Sequence, residues 1–210
     1  MIIKDNQFPF LFSGKFGNFY GRVVNGKQLI AQNPGPRKGK PSTRELETRR
    51  NFAIATRFVK PLAPLLKKYN ERNGRKGYNK ATSHIIRHAI QGRHPDQRID
   101  FSQVILGEGP LPNPKTYHVE SPAKGLLEFT WSLELSRRNQ SKNDQIFTVA
   151  YCEMMHEFRY ESLGPERGER QFLMNVSGFS GKQVEVYFGF ASSTGLLVST
   201  SIYAGSINVL

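Results

Sequence analysis

The chain has 210 residues, enough to bury a core without disulfides or structural metals, and its 38% hydrophobic, 11% aromatic and 22% charged composition excludes a disordered or collagen-like chain. Its single cysteine, Cys152, excludes an intramolecular disulfide framework and fits a reducing compartment or a virion interior. The formal charge of +13 is unevenly spread: residues 1–100 carry 21 Lys and Arg against 6 Asp and Glu, whereas residues 101–210 carry 9 against 11, so an anionic partner is expected for the first half.

Near the N-terminus the apolar patch at residues 8–12 is short and has no small-residue cleavage site after it, and nowhere do about eighteen apolar residues run together. Neither a standard secretion signal nor a membrane span is expected. Residues 16–24 and 28–32 carry strand signals and flank Asn25-Gly26, a dipeptide that tolerates the positive φ angles of a type I′ hairpin turn. Residues 33–41 then place Pro34, Pro36 and Pro41 among Gly35, Gly39, Arg37, Lys38 and Lys40, which forbids a helix or central strand and predicts a basic extended arm.

Ser42 and Glu45 have the spacing of a capping box and predict the start of a helix. With Phe52 set at zero and about 100° per residue, Val59, Ala55, Phe58 and Ile54 fall at roughly 340°, 300°, 240° and 200°, while Arg49, Lys60, Arg57 and Arg50 fall between roughly 60° and 160°. One face is apolar, the other a line of cations. Pro61 and Pro64 end or kink this helix near Lys60, after which Leu62, Leu65 and Leu66 continue the apolar surface. A second helix is expected over 80–91, capped by Asn79, stopped by Gly92, and burying Ala81, Ile85, Ile86, Ala89 and Ile90.

From Arg98 the period changes to alternation. Leu127, Phe129, Trp131 and Leu133 alternate with Glu128, Thr130 and Ser132; Val184, Val186, Phe188 and Phe190 alternate with Glu185, Tyr187 and Gly189. These predict strands with one face in a core and one in water. Further strands are expected at 101–106, 145–151, 157–161, 171–176 and 198–209, which together suit a β-sandwich. The expected class is therefore α+β: a basic hairpin, arm and helical region over 1–97, then an antiparallel β-sandwich over 98–210.

Gly14-Lys15-Phe16-Gly17-Asn18 with Gly21-Arg22, then Pro41-Ser42-Thr43 leading to Arg49-Arg50-Asn51-Phe52, resembles the N-terminal part of an uncharacterised protein family common in Bacteroidetes bacteria. Residues 186–190 and 198–205 are similar to that family's closing motif, so the resemblance brackets nearly the whole chain and implies kinship without an activity. The Gly-rich hairpin, the proline-basic arm and the Thr43-to-Arg49 helix opening also resemble small structural proteins of bacterial viruses and mobile elements. The second half is similar to a fibronectin type III-like sandwich in its early Trp131 and late strand pair, and departs from it where Glu185 stands at the corner tyrosine's place and Tyr187 follows two residues later.

Chemical motifs are sparse. Gly35 to Ser42 is one residue short of a P-loop, with Pro41 at the hydroxyl position, and no Gly-x-Gly-x-x-Gly or Gly-x-Ser-x-Gly occurs. His84 and His88, four apart, could clamp a metal with His94 as a third ligand, but solvated or satisfied histidines are the plainer expectation. Glu153, Glu157 and Glu161 read as a solvated acidic edge, and Cys152 as a core filler. The basic residues Arg37, Lys38, Lys40, Arg49, Arg50, Arg57, Lys60, Lys67, Lys68, Arg72, Arg75 and Lys76 remain as candidate nucleic-acid contacts, with Tyr69 and Tyr78 able to stack on bases.

The expectation is a non-enzymatic protein without a cofactor or metal, cytoplasmic or in a virion. It contacts DNA, RNA or an acidic protein partner, as a homo-oligomer or within a larger assembly. The alternative is a protein- or glycan-recognition module whose basic half mediates oligomerisation.

Overall fold

The structure, a computed structural model, describes residues 12–34, 36, 39–69, 77–134 and 141–210. The chain divides into two compact units, one ending at Ser42 and one spanning Thr43–Leu210.

The first unit is an antiparallel three-stranded sheet of β1 (Gly14–Phe16), β2 (Phe19–Val24) and β3 (Lys27–Gln32). Asn25 and Gly26 take φ of 51° and 75°, the two left-handed residues of the expected hairpin turn. The strand expected over 16–24 is interrupted, because Gly17 at φ 55° folds β1 back onto β2. Cross-strand pairing puts Phe16 beside Phe19, both largely solvent-exposed, on the face opposite Lys15 and Arg22.

The second unit has three layers. A four-stranded antiparallel sheet runs in the order β12 (Ile202–Asn208), β11 (Gln183–Ala191), β8 (Gln145–Cys152), β9 (Glu157–Glu161). A three-stranded sheet, β10 (Gln171–Asn175), β7 (Leu126–Trp131), β6 (Tyr117–Glu120), covers one of its faces. Leu127, Phe129, Trp131 and Met174 meet Ile146, Ala150, Val186, Phe188 and Phe190 in one core, so the sandwich expected from the alternation is present. Trp131 stacks edge-on against Phe190 at 5.4 Å and donates from Nε1 to the Arg167 carbonyl at 2.9 Å.

Helices cover the other face. α1 (Thr43–Val59) runs through a 3₁₀ turn at Lys60–Leu62 into α2 (Ala63–Tyr69), and α3 (Gly77–His84) continues as a π-helix over Ile85–Ala89. Their Ala55, Phe58, Val59, Leu62, Leu65, Leu66, Ala81, Ile85 and Ala89 share a second core with Phe147, Val149, Tyr151 and Tyr187 of the sheet. Strands β8 and β11 are therefore buried on both faces, unlike the one-sided strands expected from alternation. Tyr187, expected in water, has no exposed surface, and its hydroxyl donates to the Phe101 carbonyl at 2.8 Å. Charge changes sign near residue 97 but packing does not: the helices drawn with the hairpin in the 1–97 region lie in one compact unit with the strands.

Three local differences have physical causes. Residues 101–103 form a 3₁₀ turn rather than a strand, because Asp100 accepts hydrogen bonds from the backbone N–H and hydroxyl of Ser102. The second helix begins at Gly77 and ends at Ala89, and Ile90–Gln91 pairs as β4 with β5 (Arg98–Ile99). Gly92, at φ 87°, sits in that hairpin's connection instead of closing a helix. Strand β6, between Pro114 and Pro122, was not expected from sequence.

Arg167 and Asp144 form an ion pair buried beneath one end of the sandwich, with side-chain exposures of 1% and 2% and Nε to Oδ2 at 3.2 Å. The Arg167 guanidinium also donates to the Pro112 carbonyl at 2.9 Å and lies 3.9 Å from the centre of the Phe190 ring. Burial pushes the Asp144 carboxyl up, partly opposed by the Ser141 amide and by Arg167.

Candidate nucleic-acid interface

The cationic helix face follows from how α1 is held. Phe58 packs edge-on against Tyr151 and Phe158 at 5.0 and 5.1 Å and lies 5.9 Å from Phe101. This aromatic cluster, with Ala55 and Val59, fixes the C-terminal half of α1 on the sheet. The opposite side then must face solvent, and Arg49, Arg50, Arg57 and Lys60 are all exposed. Pro61 stands in the first turn of the 3₁₀ segment, where its missing N–H costs least, and the chain turns into α2 with Leu62, Leu65 and Leu66 inward and Lys67 outward.

Arg49 is partly neutralised by Glu45, one turn earlier, at 2.9 Å. Among the described residues, Arg50, Arg57, Lys60 and Lys67 have no carboxylate within ion-pair distance. Four cations without counter-charges on one connected helical surface form an electropositive strip, which favours an anionic ligand that releases counterions on binding.

The sequence matches the model of a family of unknown function, DUF6266, over residues 11–205. The chain belongs to this family. No curated protein matches the sequence.

Of the other expected contacts in this DUF6266 member, Lys40 is exposed and belongs to the first unit. Arg37, Lys38, Arg72, Arg75, Lys76 and the side chains of Lys68 and Tyr69 lie outside the described residues. Tyr78 is partly buried and packs on the helical core. Sequence reasoning missed Arg44, Arg87, Arg93 and Arg98, which are exposed. Arg93 and Arg98 ride on the β4–β5 hairpin, tied to α1 where Gln97 donates to the Asn51 Oδ1 at 3.0 Å and the Glu47 carbonyl at 3.4 Å. Only the count of basic residues hinted at them, since no period links that hairpin to α1.

The remaining candidates have structural occupations. His84 and His88 stack at 4.8 Å, and His84 Nε2 hydrogen-bonds with the Gln103 carbonyl at 3.0 Å. Among the described residues no group of three or more His, Cys, Asp or Glu is arranged to hold a metal. Glu157 and Glu161 lie exposed on the edge strand β9, and Cys152 is buried at the end of β8.

A polar cleft of about 460 Å³ is lined by Arg98, Asp100, Glu153, Glu185 and Tyr203. Asp100 is engaged by Ser102, while Glu185 accepts from the hydroxyls of Tyr203 and Ser206 at 2.5 and 3.0 Å. Burial and that Glu185 contact push the Tyr203 phenol well above its ordinary range. Among the described residues no helix is long and apolar enough to cross a membrane.

Proposed function

We propose that this is a non-enzymatic nucleic-acid-binding protein that docks through the solvent side of α1 and α2. The observation that carries the reading is the strip of Arg50, Arg57, Lys60 and Lys67, exposed and without carboxylate partners among the described residues, on helices whose other side is locked into the core. A rigid cationic strip loses little conformational freedom on binding, and each phosphate it neutralises releases counterions. The basic arm with Arg37, Lys38 and Lys40 would add further phosphate contacts. Resemblance of the hairpin and arm to virion and mobile-element structural proteins supports a place in such an assembly, with the sandwich surface serving neighbours.

The test is fluorescence anisotropy of labelled nucleic acid titrated with the full chain at several salt concentrations. Four phosphate contacts give a slope of log K against log salt of about −3 to −4. Reversing Arg50 and Arg57 to Glu is expected to abolish binding without changing oligomeric mass by light scattering. If affinity survives the reversal, the strip is not the interface; if only the mass changes, the cations serve an acidic protein neighbour.

A further inference from the structure

By periodicity Phe52 closes one edge of the apolar face of α1, about 20° from the buried Val59, yet it is 59% exposed. The reason is where the core begins. Buried residues of α1 start at Ala55, and Thr43 to Ile54 are all exposed or half-buried, so the N-terminal two-thirds of the helix lies outside the buried core and is held on one side by the β4–β5 hairpin through Glu47 and Asn51. Phe52 is thereby presented to solvent on a rigid helix, roughly 60° around the axis from Arg49 and roughly 80° from Lys60. Arg49, three residues earlier, is its neighbour on the surface, and Arg50 and Arg57 continue the same flank.

An exposed ring beside Arg49, at the edge of the cationic side of the helix, suits a base that stacks on the ring and phosphates that meet the cations. A duplex keeps its base faces stacked inside, so it offers phosphates to the cations but nothing to the ring. An apolar peptide would leave the cations without counter-charges. We infer that Phe52 is a stacking platform for an unpaired nucleobase and that the ligand of the α1 strip is single-stranded nucleic acid. This rests on the nucleic-acid reading above and deepens it.

The experiment compares the wild-type full chain with Phe52→Ala, Phe52→Leu and Phe52→Trp, using labelled oligothymidylate, oligouridylate and a duplex of equal length. Because the ring is exposed, the variants keep the fold, which far-UV circular dichroism checks. The expected result is tighter wild-type binding to single strands than to duplex. Alanine and leucine then lose about 5- to 150-fold on single strands, the range for one stacked base, and tryptophan restores the affinity. The salt slope stays unchanged, since no phosphate contact is removed. The thymidine and uridine arms separate DNA from RNA as the source of the base. Equal affinity of Phe52→Leu and wild type for single strands, or a wild-type preference for duplex, overturns this inference while leaving the cationic strip intact. Absence of wild-type binding to all three at low salt overturns the nucleic-acid reading itself, and this inference with it.

Discussion

Replacing Arg167 by Met, or Asp144 by Leu, tests whether the buried ion pair is a coupled unit. At the observed 3.2 Å separation, an effective dielectric constant of about 20 gives roughly 5 kcal/mol of gross attraction, opposed by several kcal/mol for taking each ion out of water. Relative to an apolar pair of similar volume, the two ions therefore come close to balancing. Removing one is different, because the survivor remains buried and unpaired: about 3–5 kcal/mol is expected for either single substitution. Arg167→Met also strands the Pro112 carbonyl and loses the guanidinium over Phe190, which puts it at the upper end. The double variant Asp144→Leu with Arg167→Met should cost far less than the sum of the two. Urea unfolding followed by tryptophan fluorescence measures all of these through the midpoint at constant m, with Trp131 reporting from beside the pair. Strictly additive single effects, or a cost below about 1 kcal/mol for each, would refute the coupling argument.

Two further outcomes follow from the packing. Burial, then the neighbouring Glu185, pushes the Tyr187 phenol far above its ordinary 10.0, so the unfolded chain loses this proton first as pH rises. The stability it confers is complete below pH 10 and falls above it by about 1.4 kcal/mol per pH unit, a slope that Tyr187→Phe should remove from alkaline unfolding curves. At Gly109, a methyl group would meet the Val198 carbonyl oxygen at 2.2 Å, and backbone cannot swing aside as a side-chain tip can. Gly109→Ala should therefore cost at least about 1–3 kcal/mol by thermal unfolding, whereas Gly168→Ala, whose nearest atoms lie at 3.5 Å, should stay within about 0.5 kcal/mol.

Local chemistry was legible wherever a short-range rule decides the outcome. Asn25-Gly26 specified its turn, Pro61 marked the end of α1, and the alternation of Leu127, Phe129 and Trp131 named the inward face of β7. What sequence could not reveal is how many layers would stack. Val184 to Phe190 alternates as a half-buried strand would, yet on the supposed wet side Tyr187 lies in the helical core and Gly189 is buried against Phe147 and Ser199. A tyrosine can satisfy its hydroxyl on the Phe101 carbonyl and so enter a core without altering the pattern. The cationic side of α1 was legible because it needs only the helical period. The exposure of Phe52 was not, because it depends on where the helix runs past the sheet.

Strands β8 and β11 are walls common to two rooms. Odd-numbered Phe147, Val149 and Tyr151 serve the helical side, and even-numbered Ile146, Ala150 and Cys152 serve the sandwich. Neither layer can melt without stripping a face from these strands, so the helices are not an appendage that could come loose while the sheets persist. Amides of β8 and β11 should thus be the last to exchange with deuterium, together and at the global free energy, with the first turns of α1 opening long before them. The cationic strip is consequently anchored unevenly along one helix: the C-terminal half of α1 sits on the slowest-opening part of the molecule, and the N-terminal half is held by the hydrogen bonds of Gln97 to Glu47 and Asn51.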